Sequence, residues 1–440
     1  MQTYLEQAFG KSDCSSVKMR GAVREWMDLY YGASRSGEDG SARLAVLIVS
    51  KLCRTVFAEY DVHRDKHDDW AQECYTDALN KVAKTAMQYA LIGGECLLKV
   101  VDDHFVPIRR DCYLPLGRDD KGNLTSVGMM QTLYENGKKY VLLERRTDMD
   151  DNTLIENRLF EVNGQALGRR VPLDTLTACK MLSDDEFLPN VPCMGLAVLR
   201  MPTVNCVDGS ADPVSIYAPA VGLMHALARC EDQLNHEFLN GASRVFASED
   251  LLRPDASGAR GLRDDLFVGL PDDPANVGVT VYSPTLREGS YLARKQDILR
   301  SCESLLSLRR GILSETNAET QPRTATEITA ASVDYDLTIR SLQKAWEDCA
   351  GDALFICSCL DRAYHKDDWW PTELSIDWGD GVLYDRSRVW AEQQQMVASG
   401  LLRPEIALAW YYDLPAETEA DLQAVREKYM PAAKGGEKHE

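Results

Sequence analysis

Between residues 335 and 363 the apolar side chains Tyr335, Ile339, Leu342, Trp346, Cys349, Ala353, Ile356, Leu360 and Ala363 recur at alternating spacings of four and three without a break. Only a helix lines up residues at that period, so this stretch predicts one long rod with a single narrow stripe. Its start is marked as well. Thr324 with Glu327 fits a capping box, in which hydroxyl and carboxylate each accept from the other residue's backbone N–H. Pro322 disfavours helix just upstream. From 324 to 363 such a rod would be about 60 Å long at 1.5 Å per residue. It needs an equally long surface to lie on, in its own fold or on a neighbouring subunit.

The rest of the chain divides by period. Residues 1–90 read as helical: "AVREWMDLYYG" (22–32) stops at a glycine, and "ARLAVLIVSKLCRTVFAEYDV" (42–62) and "YTDALNKVAKTAMQYALIGG" (75–94) follow. From about 95 to 200 the period becomes two, with Asn136-Gly137 and Asn163-Gly164 as hairpin turns. The class is therefore α+β. Asp212-Pro213 reads as a helix start, with Ile216, Ala220, Leu223, Leu227, Cys230, Leu234 and Phe238 as its stripe and Gly241 near its end. Short strands and turns rich in Pro, Gly and Asp fill 244–284. Thr285 and Glu288 fit a second capping box, opening a helix to about 313 with Ile298, Cys302, Leu305 and Ile312 on one face. A polar loop, "SETNAETQPR" (314–323), then leads into the long rod. After it come a short strand and three helices, the first two separated by Gly400 and Pro404, and a polar tail from Pro431 that is expected to be disordered.

Composition excludes several classes. The chain has 440 residues, enough for two or three domains, and its 45% hydrophobic and 27% charged content is that of a soluble globular protein. No apolar run approaches the roughly 18 residues of a membrane span, and the N-terminus has no signal-peptide pattern. Thirteen cysteines without CxxC pairs predict reduced core thiols rather than a disulfide framework. Cys357 and Cys359, two apart on a helix, point away from each other. A net charge of −20 argues against tight wrapping of nucleic acid, which depends on Lys and Arg neutralising phosphates.

Motifs for chemistry are weak. There is no Walker A element, GxSxG or HExxH. "DVHRDKHDDW" (61–70) places His63 and His67 four apart among Asp61, Asp65, Asp68 and Asp69; on a helix they could share a metal in a hydrolase, but a charged, solvated junction is the better reading. "DWGDG" (377–381) with Asp385 lacks EF-hand spacing and reads as a polar turn. No metal or cofactor is expected. The basic residues Arg294, Lys295, Arg300, Arg309 and Arg310 fall before the polar loop, with Arg323 and Arg340 beyond it. Taken alone, they fit a solvated helix face.

Taken in order, these segments resemble the portal proteins of tailed bacteriophages, particularly the branch found in long-tailed phages of Gram-positive hosts. The resemblance rests on "REWMDLYYG" (24–32), "YALIGGECLLKV" (89–100), "PTLREGSYLARKQDIL" (284–299), "TATEI" (324–328) after a polar loop where that branch has "kTATEV", and "IDWGDGVLYDRSRVWAEQQQMVASGLL" (376–402). It covers nearly the whole chain. Pro322 and Arg323 depart from it, standing where small residues or lysine are usual, and no long C-terminal crown is evident.

The resemblance implies a homo-oligomeric ring, a dodecamer, at one vertex of the capsid. Double-stranded DNA would pass through its axis without sequence specificity, and assembly would take place in the host cytoplasm. Terminase large subunit would dock first and a head-tail adaptor later, with major capsid and scaffolding proteins around the ring; neither a membrane nor enzymatic activity is implied. In those terms 1–212 (antiparallel strands at about 95–200) and 325–430 are the wing, with at most a short crown. Residues 213–243 and 285–313 are the stem helices, 244–284 a small α/β clip, 314–324 the tunnel loop, and 431–440 a tail. The implied channel residues are Ser314, Glu315, Thr316, Asn317, Glu319, Gln321 and Arg323 on the loop, anchored by Thr324 and Glu327, with Arg294, Lys295, Arg300, Arg309 and Arg310 on the stem. Asp255, Arg260, Arg263, Asp264, Asp265 and Asp272 are implied for motor and adaptor docking. The rods are expected to bury their stripes by packing side by side in a closed annulus. In that ring the loop moves while the helix that follows it stays fixed.

Overall fold

The structure, a computed structural model, describes residues 1–32, 40–63, 70–163, 166–241, 244–248, 267–270, 280–282, 285–315, 325–364, 368–372, 374–379, 386–412, 414–416 and 418–430, the strands between 244 and 282 by their backbone alone. The chain separates into two compact units, 1–57 with 62–376, and 58–61 with 377–440. The larger opens with α1 (Gln2–Phe9), α2 (Val17–Tyr31) and α3 (Gly40–Val56), followed by the short strand β1 (Asp61–His63) and α4 (Trp70–Gly93). The Ser16 hydroxyl caps α2 by accepting from the Met19 N–H, and Gly32 closes it at φ +64°. The third helix ends at Val56, short of the expected 62.

Nine strands follow: β2 (Glu95–Val101), β3 (His104–Arg109), β4 (Tyr113–Arg118), β5 (Leu124–Glu135), β6 (Lys138–Asp148), β7 (Thr153–Asn163), β8 (Ala166–Val171), β9 (Asp185–Leu188) and β10 (Leu196–Arg200). β4 to β8 form an antiparallel meander with β9 also pairing to β7, and β10, β2 and β3 form a second antiparallel sheet. Asn136 (φ +52°) and Gly137 (φ +74°) make the two-residue turn of the β5–β6 hairpin, as a type I′ turn requires. Asn163 pairs with Ala166 across the β7–β8 hairpin. Both faces of β6 are covered: Val141 and Leu143 pack on Leu5 of α1, while Tyr140 and Leu142 pack on Leu173 and Leu176. The class is α+β, as the change of period predicts.

The larger unit continues with α5 (Val221–Asn240), β11 (Arg244–Ser248), β12 (Phe267–Leu270), β13 (Thr280–Tyr282), α6 (Glu288–Leu305) and the 40-residue α7 (Ala325–Tyr364). The α7 stripe is buried from Tyr335 to Ile356, Leu360 is partly buried, and Ala363 is exposed. Its partners lie in the same chain: α3, α4 and β10. The Phe57 and Trp346 rings meet edge to face at 5.9 Å, and the Tyr335 hydroxyl bonds that of Thr55. Of the two surfaces open to it the stripe lies on its own fold, so the expectation that this rod buries its stripe in a closed annulus is corrected. Cys357 and Cys359 are both buried, the latter among Ile155, Leu188 and Val191, and all thirteen cysteines are free thiols.

The chain then runs through β14 (Ser375–Asp377), which pairs with β1, to the smaller unit's helices α8 (Arg386–Ala398), α9 (Pro404–Tyr411) and α10 (Glu419–Tyr429). Gly400 adopts φ +74° and Pro404 starts α9, as the sequence predicts. Thr418 and Asp421 form a complete capping box on α10. The Tyr412 and Tyr429 rings stack at 4.4 Å, and Arg426 pairs with Glu405 at 2.6 Å. No helix of the described residues is long and apolar enough to cross a membrane.

Candidate functional site

α5 and α6 form an antiparallel pair. Lys295 Nζ lies 2.8 Å from the Glu231 carboxylate, Arg287 forks onto Glu237 at 2.8 Å, and Leu286 sits against Gly241. Such pairs run opposite ways along the two helices. At the end where α5 stops and α6 starts, β11 pairs parallel with β12 and antiparallel with β13, giving a three-stranded sheet. Burial fades towards that end: Leu227 and Cys230 are buried, whereas Phe238, Leu239 and, on α6, Leu292 are half exposed or more.

The chain reaches α5 differently from the expected Asp212-Pro213 start. α5 begins at Val221, after a short 3₁₀ turn with Pro219 in its second position. Asp212 does not cap it. Its carboxylate lies 2.6 Å from Arg118 Nε, and Arg118 Nη2 lies 2.6 Å from the buried Glu95. Arg110 Nε approaches the same Glu95 oxygen at 3.4 Å. Ser215 Oγ and the Ile216 N–H both donate to the Leu91 carbonyl at 3.0 Å, which ties 215–216 to the end of α4. Burial alone would raise the Glu95 carboxyl, but the charges of Arg118 and Arg110 prevail and hold it low. The root of the helix pair is thus a charged cluster in the core.

α6 differs at both ends too. Thr285 is not its cap: the helix begins at Glu288 with Arg287 in the cap position, and it stops at Leu305 rather than near 313. Ile312 therefore lies off the helix, and Leu305 is 53% exposed. What stops it is Glu303, a buried acid. Its Oε1 accepts from the N–H groups of Gly311 (3.0 Å), Leu313 (2.8 Å) and Ser314 (2.8 Å), while Oε2 accepts from Ser314 Oγ (2.8 Å). The backbone folds back to reach it, with Ser307 at φ +51° and Gly311 at φ +93°. Gln296 then accepts from the Glu315 N–H at 2.9 Å. One buried carboxylate therefore clamps the segment from which the polar loop departs.

Ser314 is buried in this clamp and Glu315 is exposed. Thr316, Asn317, Glu319, Gln321, Arg323 and Thr324 lie outside the described residues, as does the Glu327 side chain; α7 does begin at Ala325, directly after Thr324. The stem cations are divided. Arg294 pairs with Asp297 at 2.8 Å and Lys295 with Glu231, so neither is a free positive charge. Arg300 is half-buried. Arg309 and Arg310 are exposed but sit beyond the end of α6 rather than on it. Asp255, Arg260, Arg263, Asp264, Asp265 and Asp272 lie outside the described residues.

His63 is in strand β1, which removes the helical spacing on which a shared site with His67 depended; His67 itself lies outside the described residues. Among the described residues no group of three His, Cys, Asp or Glu side chains is placed to hold a metal. Asp377 accepts from the Gly379 N–H at 2.7 Å, a local polar turn. The clamp at Glu303 and the Glu95 cluster were not found from the sequence. The visible signal for the first is an acid between Cys302 and Leu306 on an otherwise apolar face, with Gly311 shortly after it.

No protein-family model matches the chain, and no curated protein does. Among solved structures, a chain described as "Neck of native GTA particle computed with C12 symmetry" is 10% identical at a TM-score of 0.44, over 94% of this chain and 98% of that one.

Proposed function

We propose that the chain is a portal subunit. Copies of it form a ring, twelve-membered in the family it resembles, at one vertex of a phage-like capsid. Double-stranded DNA moves through its axis, terminase large subunit docks during packaging, and a head-tail adaptor replaces it. The observation that carries this reading is the antiparallel α5–α6 pair, tipped by a small sheet and returning through a clamped loop into α7. A ring subunit meets its neighbours through two different faces related by rotation. That arrangement would cover Phe238, Leu239, Leu292 and Leu305, which the single chain leaves exposed.

The charge balance fits passage rather than capture. Each well-made phosphate contact would hold the duplex at that point, and a chain of net charge −20 with two of its stem cations already paired offers few. The Glu303 clamp fixes the segment that leads into the polar loop, and α7 begins directly after Thr324. No catalytic chemistry of its own is proposed; ATP hydrolysis belongs to the docking motor. Negative-stain images of the purified full-length protein test the reading. Top views with a stain-filled central hole are expected, and a monodisperse monomer at every concentration would sink it.

A further inference from the structure

β5 is longer than the strand that pairs with its outer side. β4 covers it from Leu124 to Met129, whereas β6 pairs with it from Ser126 to Glu135. Gln131 to Glu135 therefore form a stretch of sheet edge beside which no described residue adds a strand. Asn136-Gly137 closes the hairpin, and the turn's own hydrogen bonding joins Glu135 to Lys138. Opposed residues alternate between bonded and unbonded pairs, so Glu135, Leu133 and Gln131 bond to β6, while Tyr134 and Thr132 turn their N–H and C=O outward. Among the described residues nothing bonds to those four groups. This edge has neither bulge nor proline, and Tyr134 on it is 73% exposed. An edge without such guards is a template for another strand.

The opposite edge of the same sheet is β8. Gln131, Leu142, Leu159 and Val171 form one row across the four strands, and Thr132, Val141, Phe160 and Arg170 form the next. Two rows further, past a bulge opposite Glu161, Leu167 stands level with Tyr134. Counted from Asn163 and Ala166, which flank a two-residue connection, the same alternation turns the N–H and C=O of Leu167 and Arg170 outward. The two edges therefore end on the same rows and in the same phase, and β8 runs opposite to β5. Length agrees: β8 ends at Val171, before Pro172, and on the β5 side β4 takes up the lane only from Tyr113, opposite Met129. Charge agrees too. Arg169 is exposed and has no ion pair among the described residues. The Glu135 carboxylate accepts from the Thr177 N–H and hydroxyl and meets no cation among them.

We infer that β8 of a second copy of this chain pairs antiparallel with β5 at Gln131–Glu135, so that one sheet runs on from copy to copy. Two bonded pairs result, Tyr134 with the partner subunit's Leu167 and Thr132 with the partner subunit's Arg170. Glu135 then lies diagonally across from the partner subunit's Arg169, a position at which opposite charges attract. β5 and β8 are different edges, so the contact is heterologous and closes into a ring when the rotation allows. Neighbouring copies in a ring of many differ by a small rotation, which preserves strand direction and continues the antiparallel alternation across the junction. Four strands is an even number, so the bonding phase is kept as well. The inference rests on the ring proposed above and adds which edges meet. Main-chain hydrogen bonds supply the attraction, and the Arg169–Glu135 pair helps fix the register.

Cysteine cross-linking tests this on the full-length chain. Gln131 and the partner subunit's Val171 form an unbonded pair, whose close Cα atoms suit a disulfide. Under a mild thiol oxidant, Gln131→Cys combined with Val171→Cys should give a covalent ladder up to the size of the ring on non-reducing gels. The wild type, with its thirteen free thiols, and each single variant should not. Thr132→Pro removes an N–H that points outward rather than one bonded to β6. Circular dichroism should therefore be unchanged, while mass photometry finds the concentration needed for assembly raised at least tenfold. Should that variant misfold, Tyr134→Lys, which guards the edge with charge, reads the same quantity. Rings that form with no ladder from the double variant, or with both edge variants assembling like wild type, would overturn the pairing and leave the ring standing. Dimers cross-linked by Gln131→Cys alone would mean that β5 meets its own copy, overturning the assignment to β8. A wild-type chain that stays monomeric would overturn the ring reading and the pairing with it.

Discussion

Replacing Glu303 with alanine should detach the loop's near end while leaving the fold intact. The carboxylate accepts four hydrogen bonds, three from backbone N–H groups. A hydrogen bond to a charged acceptor contributes about 1.5–3 kcal/mol, and a donor left buried without a partner costs about 1–3. The donors do not count equally. Gly311 is exposed and Leu313 half exposed, so water can replace the acceptor there, whereas Ser314 is buried and loses both of its bonds. The local cost is therefore about 2–4 kcal/mol, set mainly by Ser314. Hydrogen exchange resolved to 308–315 reads this directly, because local opening governs amide exchange. The Gly311, Leu313 and Ser314 amides should exchange about thirty to several hundred times faster in Glu303→Ala, at 1.4 kcal/mol per tenfold. Glu303→Gln keeps an acceptor and should show a smaller rise. Unchanged exchange at Ser314 would refute the clamp. Loss of the whole fold would instead make Glu303 a support of the core.

Three further outcomes follow from the core. Burial alone would raise the Glu144 carboxyl, but Arg146 at 2.7 Å and Lys99 at 2.5 Å hold it at about 2. With the folded value below the unfolded one, the pair stabilises the fold above the usual carboxylate range, and that contribution is lost as pH falls from about 4.5 towards 2; urea midpoints should fall over that window in the wild type and stay flatter in Glu144→Gln. Trp346→Ala, at a fully buried position, should lower unfolding free energy by about 3–5 kcal/mol in chemical denaturation. Gly94→Ala should cost clearly more than Gly137→Ala in the same assay. Both need positive φ, but a Cβ at Gly94 would come within 2.7 Å of the Pro213 and Val214 backbone while one at Gly137 meets nothing.

What the sequence made legible was what neighbours along the chain decide. Asn136-Gly137 fixed a hairpin, Gly32 and Gly400 fixed helix ends, and the α7 period fixed a rod, because turn geometry and helical spacing are local. The helix boundaries around the candidate site were misread where a distant residue took over. Asp212 has the chemistry of a cap, but Arg118 claims its carboxylate and the Leu91 carbonyl ties 215–216 to α4 instead. Thr285 could cap a helix, yet Arg287 on Glu237 and Leu286 on Gly241 set where α6 begins. Glu303 looked like one acid among many until the chain folded back on it. A side chain's local preference is a weak prior once a charge from another element is in reach.

The burial of the α7 stripe within its own chain moves the case for a ring onto smaller surfaces, and their size decides how assembly should behave. Full burial of a large apolar side chain stabilises by about 1.5–3 kcal/mol, so Phe238, Leu239, Leu292 and Leu305, 48–71% exposed, offer about 1 kcal/mol each and about 4 in total. Bringing two chains together costs an estimated 4–15 kcal/mol in lost freedom. That strip alone does not hold a pair. A ring changes the arithmetic, because closing it adds one more interface without immobilising another chain. Assembly should therefore be all or none: mass photometry across a dilution series should find monomers and closed rings, with few dimers or open arcs between them. A ladder of stable small oligomers would mean that a larger apolar surface than this chain exposes is making the contact.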